Sequence, residues 1–226
     1  MLEAPSAPSS TRFHYAWIAL AVTCLALMTG MGVRSNFGVY VKALEGEFHT
    51  TREPISRIHL LSLLLFACFQ PVVGALRDRS GARAVLAGSM LLAGVGRIGM
   101  SLAPNLLTVG ILYAILGGIA SGAASATAGT AVCTRWFVKS RGLAMGIASA
   151  GNSTGQLIFF PLAMWLLVRA GWRMSYLWQG LFMACAVFPL VAWLARNDPR
   201  DKGLEAYGSG ELRAAVAAGA PAPAPG

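Results

Sequence analysis

The chain has 226 residues, of which 56% are hydrophobic and only 12% are charged, and its formal net charge is +9. This composition excludes an ordinary soluble domain and indicates an integral membrane protein in contact with the lipid bilayer. The excess of Lys and Arg does not indicate nucleic-acid binding, because these residues stand at the ends of apolar runs instead of forming one patch.

Six apolar runs are each long enough to form a membrane-spanning helix, which needs about 20 mostly apolar residues. In chain order they cover residues 15–41, 57–76, 84–103, 106–133, 142–168 and 173–195. The joints between them carry charges, Pro or Gly. The sequence therefore predicts an all-α integral membrane fold, a bundle of six transmembrane helices over residues 15–195.

The two ends of the chain differ from this apolar domain. Residues 1–14 precede a run that is too long for a signal-peptide core, so we expect them to remain as an N-terminal segment. Residues 196–226 are rich in Gly, Ala and Pro and predict a disordered tail. The side that carries both termini holds eleven Lys and Arg, whereas the other side holds five. The positive-inside rule then predicts a multi-pass protein of the cell membrane (inner or plasma) with both termini cytoplasmic.

A repeat with a period of 90 residues relates the two halves of the apolar domain. Its identities are Phe69 with Phe159, Pro71 with Pro161, Leu76 with Leu166, Arg79 with Arg169, Gly81 with Gly171 and Arg83 with Arg173. Because three predicted spans separate the copies, they fall on opposite faces of the membrane. This pattern predicts two inverted three-helix repeats, an arrangement that secondary transporters use.

The joint between the second and third runs reads Gly74-Ala-Leu-Arg-Asp78-Arg79-Ser-Gly81-Ala-Arg83. It resembles the G-x-x-x-D-R-x-G-x-R signature of the major facilitator superfamily, which lies in the cytoplasmic loop between helices 2 and 3. The resemblance implies a fold of twelve helices in two halves, of which this chain corresponds to the N-terminal half. It also implies a gating loop that engages a helix of the second half. The alternative is a charged loop that only enforces topology.

Four further stretches resemble the monocarboxylate-transporter-like branch and its bacterial relatives. They are Ser35-Asn-Phe-Gly-Val-Tyr40, Gln70-Pro71, Arg135-Trp-Phe-Val-Lys-Ser-Arg-Gly-Leu-Ala-Met-Gly146 and Gly171-Trp-Arg173. This resemblance implies transport of small organic anions such as monocarboxylates. It also implies that a basic residue near the position of Arg34 takes part in binding the carboxylate, and it makes Asn36 and Tyr40 candidate substrate-binding residues.

Arg34 lies about two-thirds along the first apolar run. A cation at that depth is costly in hydrocarbon and usually faces a water-filled cavity, where an arginine can hold a carboxylate by two parallel hydrogen bonds. The alternative is that the first helix ends near Val33 and the Arg34 side chain reaches up to the headgroups. Arg97, in the third run, has the same two interpretations. The apolar runs contain no Asp or Glu that could pair with either arginine.

Asn152 and Gln156 are spaced four residues apart in the fifth run and therefore share one helix face. They are candidate cavity residues that select a substrate. The alternative for each is an interhelical hydrogen bond, which contributes about 0.6 kcal/mol on average in a membrane.

No pattern in the sequence indicates an enzyme, a metal site or a cofactor. Gly94-Val-Gly-Arg-Ile-Gly99 matches a dinucleotide-binding pattern, but it lies inside an apolar run with no preceding strand. The histidines are dispersed, and the four cysteines have no metal-ligand spacing.

We therefore expect one half of a secondary-active transporter for small organic anions. A second six-helix half, in a separate chain or a second copy, would complete it. The alternative is a truncated or non-transporting membrane helix bundle that pairs with another membrane protein.

Overall fold

A computed structural model describes residues 15–123 and 141–195, and within these ranges every regular element is a helix. The predicted N-terminal segment and tail lie outside the described residues. So do residues 124–133 of the fourth predicted span and the part of the family-like stretch that precedes Arg141.

The helices are labelled here in chain order. They are α1 (Tyr15–Ser35), α2 (Phe37–Glu47), α3 (Arg52–Ser101), α4 (Leu106–Ile111), α5 (Gly118–Ala123), α6 (Arg141–Leu181) and α7 (Phe188–Leu194). The π-helical turn Leu112–Gly117 joins α4 to α5, and a second such turn, Phe182–Val187, joins α6 to α7. By length and composition, the described residues contain four helical stretches that can cross a membrane: Tyr15–Glu47, Arg52–Ser101, Leu106–Ala123 and Gly142–Leu194.

Two of these stretches are interrupted at a glycine. Helix α3 has 50 residues, so a straight helix of this length would be about 75 Å long, far more than one bilayer crossing requires. The interruption lies at Gly81, with φ 82° and ψ 154°, and α6 has the same feature at Gly171, with φ 79° and ψ 170°. Only glycine adopts this backbone conformation without strain. We call the two parts of α3 α3N (52–80) and α3C (82–101), and those of α6 α6N (141–170) and α6C (172–181).

Contacts with the α4–α5 stretch show that the chain reverses direction at Gly81. The pairs that pack between α3N and this stretch are Ile58 with Gly110, Ser62 with Gly118 and Phe66 with Gly122, so the two run parallel. The pairs between α3C and the same stretch are Gly99 with Leu112 and Gly96 with Leu116, so these two run antiparallel. Therefore α3N and α3C run in opposite directions.

Contacts with α1 and α2 show the same reversal at Gly171. The pairs between α1 and α6N are Cys24 with Gly151, Met28 with Gly155 and Gly32 with Phe159, which is a parallel arrangement. The hydroxyl of Tyr15 donates to the Leu194 carbonyl, whereas Tyr40 contacts Ser175, so the chain after Gly171 runs antiparallel to α1 and α2.

The helices extend further than the apolar runs predicted. The predicted loop at 77–83 is helical up to Ser80, and the first span continues to Glu47 after a bend at Asn36. Charged residues exclude a segment from hydrocarbon, but they do not prevent it from remaining helical at the membrane surface, where water solvates the side chains.

Close helix packing depends on glycines at the crossing points. A side-chain carbon on Gly155 would collide with the backbone carbonyl of Met28. Gly94 and Gly180 lie at the crossing of α3C and α6C, where such a carbon on Gly94 would lie 2.9 Å from the Gly180 carbonyl oxygen. Small residues at these points let the backbones approach, which is the main source of helix association in a membrane.

Candidate functional site

Arg34 stands just before the bend between α1 and α2. Its side chain is half-buried, and its Cζ atom lies 4.0 Å from the centre of the Phe66 ring of α3N. The guanidinium makes no hydrogen bond within the described residues. Arg34 lies in the last turn of α1, and α2 continues the helical stretch to Glu47. The donors of Arg34 are available to a ligand.

An aromatic cluster that sequence reasoning missed lies beside Arg34. The Phe37 ring stacks on Tyr113 at 4.1 Å and on His59 at 5.3 Å between ring centres. The Tyr113 hydroxyl and His59 Nδ1 are 3.1 Å apart and share a hydrogen bond. These three residues come from three different helical segments, so no local pattern in the sequence could have brought them together.

Asn36 and Tyr40 hold helices together in this structure. The Asn36 amide is buried, and its Nδ2 donates to the Phe159 carbonyl at 2.9 Å, while its Oδ1 has no partner among the described residues. Tyr40 is fully buried, with its hydroxyl 2.6 Å from Ser175 Oγ, and it accepts a hydrogen bond from Gln179 Nε2 at 2.5 Å. The polar groups of Tyr40 are therefore already used in contacts between helices.

Asn152 and Gln156 lie on one face of α6N, near its middle. Gln156 is exposed, whereas Asn152 is half-buried with its Oδ1 unpartnered among the described residues. Ser149 and Ser153 are exposed on the same face. We call these four residues the polar stripe. It adjoins the face of α6N that packs on α1.

The segment from Gly74 to Arg83 contains the end of α3N, the reversal at Gly81 and the start of α3C. Asp78 and Arg79 are exposed, and Asp78 Oδ1 is 3.9 Å from the Nε of its neighbour Arg77. Arg83 is half-buried and donates from both Nε, at 2.8 Å, and Nη2 to the Ala192 carbonyl. Gly81 supplies the reversal. Of the charged residues in this segment, Asp78 and Arg79 are therefore exposed, whereas Arg77 and Arg83 are half-buried.

Arg173 follows the reversal at Gly171 as Arg83 follows the one at Gly81. Its Nη1 donates to the carbonyls of Ser101 at 3.2 Å and Ala103 at 3.0 Å, and its Nη2 is 3.2 Å from Glu47 Oε1. The 90-residue repeat identified this arginine, but no pattern identified its partners.

Arg97 is buried in the interior of the helix bundle, with only 9% of its surface exposed. Its Nη2 donates to the Val33 carbonyl at 2.9 Å, and its Cζ lies 5.8 Å from the centre of the Tyr176 ring. The interpretation in which this side chain reaches the headgroups is therefore wrong. Residues of α1 and α6 surround it, which the sequence did not predict.

Comparison with known proteins identifies the family. The family model described as Major Facilitator Superfamily matches residues 19–221. The uncharacterized MFS-type transporter YcxA of Bacillus subtilis is 25% identical over 183 residues, which are 81% of this chain and 45% of that protein. The riboflavin transporter RibJ of Trypanosoma brucei brucei is 29% identical over 187 residues, which are 81% of this chain and 34% of RibJ.

Monocarboxylate transporter 13 of Bos taurus is 32% identical over 165 residues, which are 70% of this chain and 37% of the relative. The chain thus spans less than half the length of these relatives, all of which are named as transporters. The family match covers most of the chain, and its apolar helices are those of a membrane protein. This chain therefore belongs to the Major Facilitator Superfamily of membrane transport proteins.

Proposed function

We propose that the chain forms one six-helix bundle of a secondary transporter for small organic anions, such as monocarboxylates. The observation that carries this proposal is the polar stripe of Ser149, Asn152, Ser153 and Gln156. Ser149, Ser153 and Gln156 are exposed and Asn152 is half-buried at the middle of a membrane helix, where contact with hydrocarbon would be costly. A water-filled cavity or a polar partner surface removes that cost.

The six-helix part of the proposal is supported by the reversals at Gly81 and Gly171. Each divides one long helix into two oppositely directed parts. After Gly171 the chain continues through α6C, the π-helical turn and α7, and we call residues 172–194 the last pass. The parts α3N, α3C and α6N and the last pass are each about 20 residues or longer, which is enough to cross a membrane. The first stretch, the α4–α5 stretch and these four parts then make six passes. Since the two glycines are 90 residues apart and have similar φ and ψ, they also support two inverted three-helix repeats.

The contacts around α3C and the last pass support the same repeat. Arg83 bonds to Ala192, and Arg173, the equivalent of Arg83, bonds to Ser101 and Ala103, which flank the equivalent of Ala192. Such reciprocity is the pattern that a two-fold relation produces.

A second bundle is the partner that the exposed surfaces favour. Helices α3N and α6N, which the repeat makes equivalent, are the least buried of the described segments. We expect a second six-helix half, from another polypeptide or a second copy, to pack along them and enclose the cavity. Transport would follow from rocking of one bundle against the other.

Arg34 is the residue that we assign to the substrate carboxylate. It is a half-buried cation with no hydrogen bond within the described residues, and Phe66 covers one face of its guanidinium. A bidentate bond from this planar group fits a carboxylate. Asn152 and Gln156 would line the same aqueous path, while Asn36 and Tyr40 would shape it through their contacts between helices.

The exposed charges Asp78 and Arg79 would act at the cytoplasmic gate, and both termini would lie on that side. Arg83 donates a hydrogen bond to the Ala192 carbonyl near the end of α7. In gating, it would therefore connect the reversal at Gly81 to this last helix.

Uptake into proteoliposomes tests the proposal. The chain, reconstituted with a second bundle, is given a radiolabelled monocarboxylate or radiolabelled riboflavin. We expect monocarboxylate uptake, and Arg34→Gln should reduce it roughly 10- to 100-fold, since a hydrogen bond to a charged group is worth about 1.5–3 kcal/mol. Arg57→Gln, which changes an exposed arginine paired with Glu53, should leave uptake unchanged.

Two results would contradict this assignment. Uptake of riboflavin without uptake of any monocarboxylate would overturn the substrate class. If no substrate were taken up and native mass spectrometry found only a monomer, the alternative of a non-transporting helix bundle would be favoured.

A further inference from the structure

Arg97 is a buried cation without an anionic partner. Only 9% of its surface is exposed, and the sequence contains no Asp or Glu between Asp78 and Asp198. A guanidinium cannot lose its proton inside a protein. A buried charge is strongly unfavourable unless an opposite charge and hydrogen bonds compensate for it.

The neighbours of Arg97 compensate for it only in part. Its Nη2 donates to the Val33 carbonyl, and the Tyr176 ring lies beside the guanidinium. Its Nε has no hydrogen-bond partner among the described residues. Both partners are neutral, so one full positive charge and one buried donor remain.

A small cavity adjoins this side chain. Its volume is about 20 Å³, and its lining includes Arg97, Tyr113 and Ser121 together with the apolar side chains Met90, Met100 and Met183. The Ser121 hydroxyl donates to the Gly117 carbonyl, and the Tyr113 hydroxyl shares a hydrogen bond with His59. Arg97 therefore supplies the only formal charge in the lining.

The cavity leaves room for a small ligand beside Arg97. Its volume exceeds the roughly 10–15 Å³ that a single water molecule needs. Between a water molecule and a small anion such as chloride, the uncompensated positive charge favours the anion.

We propose that Arg97 and this cavity form a binding site for one chloride ion, held between α1, α3C, the α4–α5 stretch and the last pass. The ion would neutralise the buried guanidinium and so stabilise the contact of these helices. This inference does not rest on the transport proposal, because that proposal assigns no role to Arg97.

The direct test is diffraction from crystals of the full chain grown in sodium bromide, with data collected at the bromine absorption edge. We expect an anomalous peak within about 3.5 Å of the Arg97 guanidinium. Density for a water molecule without anomalous signal, or an empty cavity, would overturn the proposal.

Thermal unfolding in lipid nanodiscs provides a second measurement on the same protein. The chloride concentration is varied at constant ionic strength, with gluconate as the replacing anion. Because chloride binds the folded state, the melting temperature should rise with the logarithm of the chloride concentration. An equal melting temperature in both salts would also overturn the proposal.

Variants assign the effect to the site. Arg97→Gln should abolish the dependence on chloride, whereas Arg97→Lys should retain part of it because it keeps the charge. Arg57→Gln is the matched control at an exposed position and should keep the full dependence. If Arg97→Gln retained the whole chloride effect, the ion would bind elsewhere and the assignment to Arg97 would be wrong. If Arg97→Gln did not fold, the bromide data on the unaltered chain would decide.

Discussion

Arg83 and Arg173 make matching contacts at the two ends of α3C. Each follows a glycine reversal by two residues, and each donates to backbone carbonyls where another helix ends. The last carbonyls of a helix lack intrahelical partners, and the helix dipole favours a cation there. The two arginines therefore satisfy and stabilise the ends of α7 and α3, respectively.

This relationship predicts that Arg83→Ala and Arg173→Ala each lower the free energy of unfolding. The expected loss is about 1.5–3 kcal/mol, because hydrogen bonds to a charged group are removed and buried carbonyls remain. Unfolding in SDS, followed by circular dichroism, measures it. Arg79→Ala, which removes an exposed arginine, is the control and should change the value by less than about 0.5 kcal/mol.

The double variant adds a sharper expectation. Because Arg83 lies at the start of α3C and Arg173 contacts its end, their effects should be additive within about 0.5 kcal/mol. A strongly non-additive result would mean that they stabilise one shared contact, contrary to the structure.

Gly171→Ala tests the reversal itself. Its φ of 79° strains any residue with a side-chain carbon, although a Cβ would meet no atom within 4 Å. We expect a loss of about 1–3 kcal/mol from backbone strain alone. Gly146→Ala, in α6N, has equally open space, and it should stabilise the helix by about 1 kcal/mol. Equal effects of the two substitutions in the same unfolding assay would argue against the reversal.

Tyr40→Phe and Tyr176→Phe form a matched pair in the buried contact between α2 and α6C. The Tyr40 hydroxyl bonds to Ser175 and Gln179, which also bond to each other, so its loss removes two buried hydrogen bonds and should cost about 1–3 kcal/mol. The Tyr176 hydroxyl is buried without a partner among the described residues, so its removal should be neutral or stabilising. Thermal unfolding of both variants distinguishes them, and the reverse order would contradict the contacts described here.

Cysteine accessibility tests whether the polar stripe faces water. In a chain whose native cysteines are replaced by Ala, Gln156→Cys should react with a charged, water-soluble thiol reagent in intact membranes. Ile158→Cys is two residues further along and 50% exposed, but at about 3.6 residues per turn it lies on the opposite face of the helix, so we expect it to face lipid. Because a thiol in hydrocarbon does not ionise, it should react at least tenfold more slowly. Equal rates would place both faces in the same environment and remove the main support for the cavity.

Several features were predictable because each depends on a short, continuous stretch of the sequence. Apolar runs of about 20 residues determine membrane helices, since every backbone polar group in lipid must bond within its own segment. The glycines at 81 and 171 were identifiable from the repeat, and the family from the segment Gly74–Arg83. What the runs did not reveal was how far the helices continue into the interface.

The sequence by itself thus determined that the chain is a helical membrane protein of this family, because hydrophobicity and short motifs act within one segment. Only the tertiary structure decided the partners of the buried polar groups. Arg83 meets a carbonyl 109 residues away, Asn36 one that is 123 residues away, and Tyr40 a serine 135 residues away. It also decided that Arg97 is enclosed. These pairings depend on how the helices are rotated and packed against each other, and no segment contains that information alone.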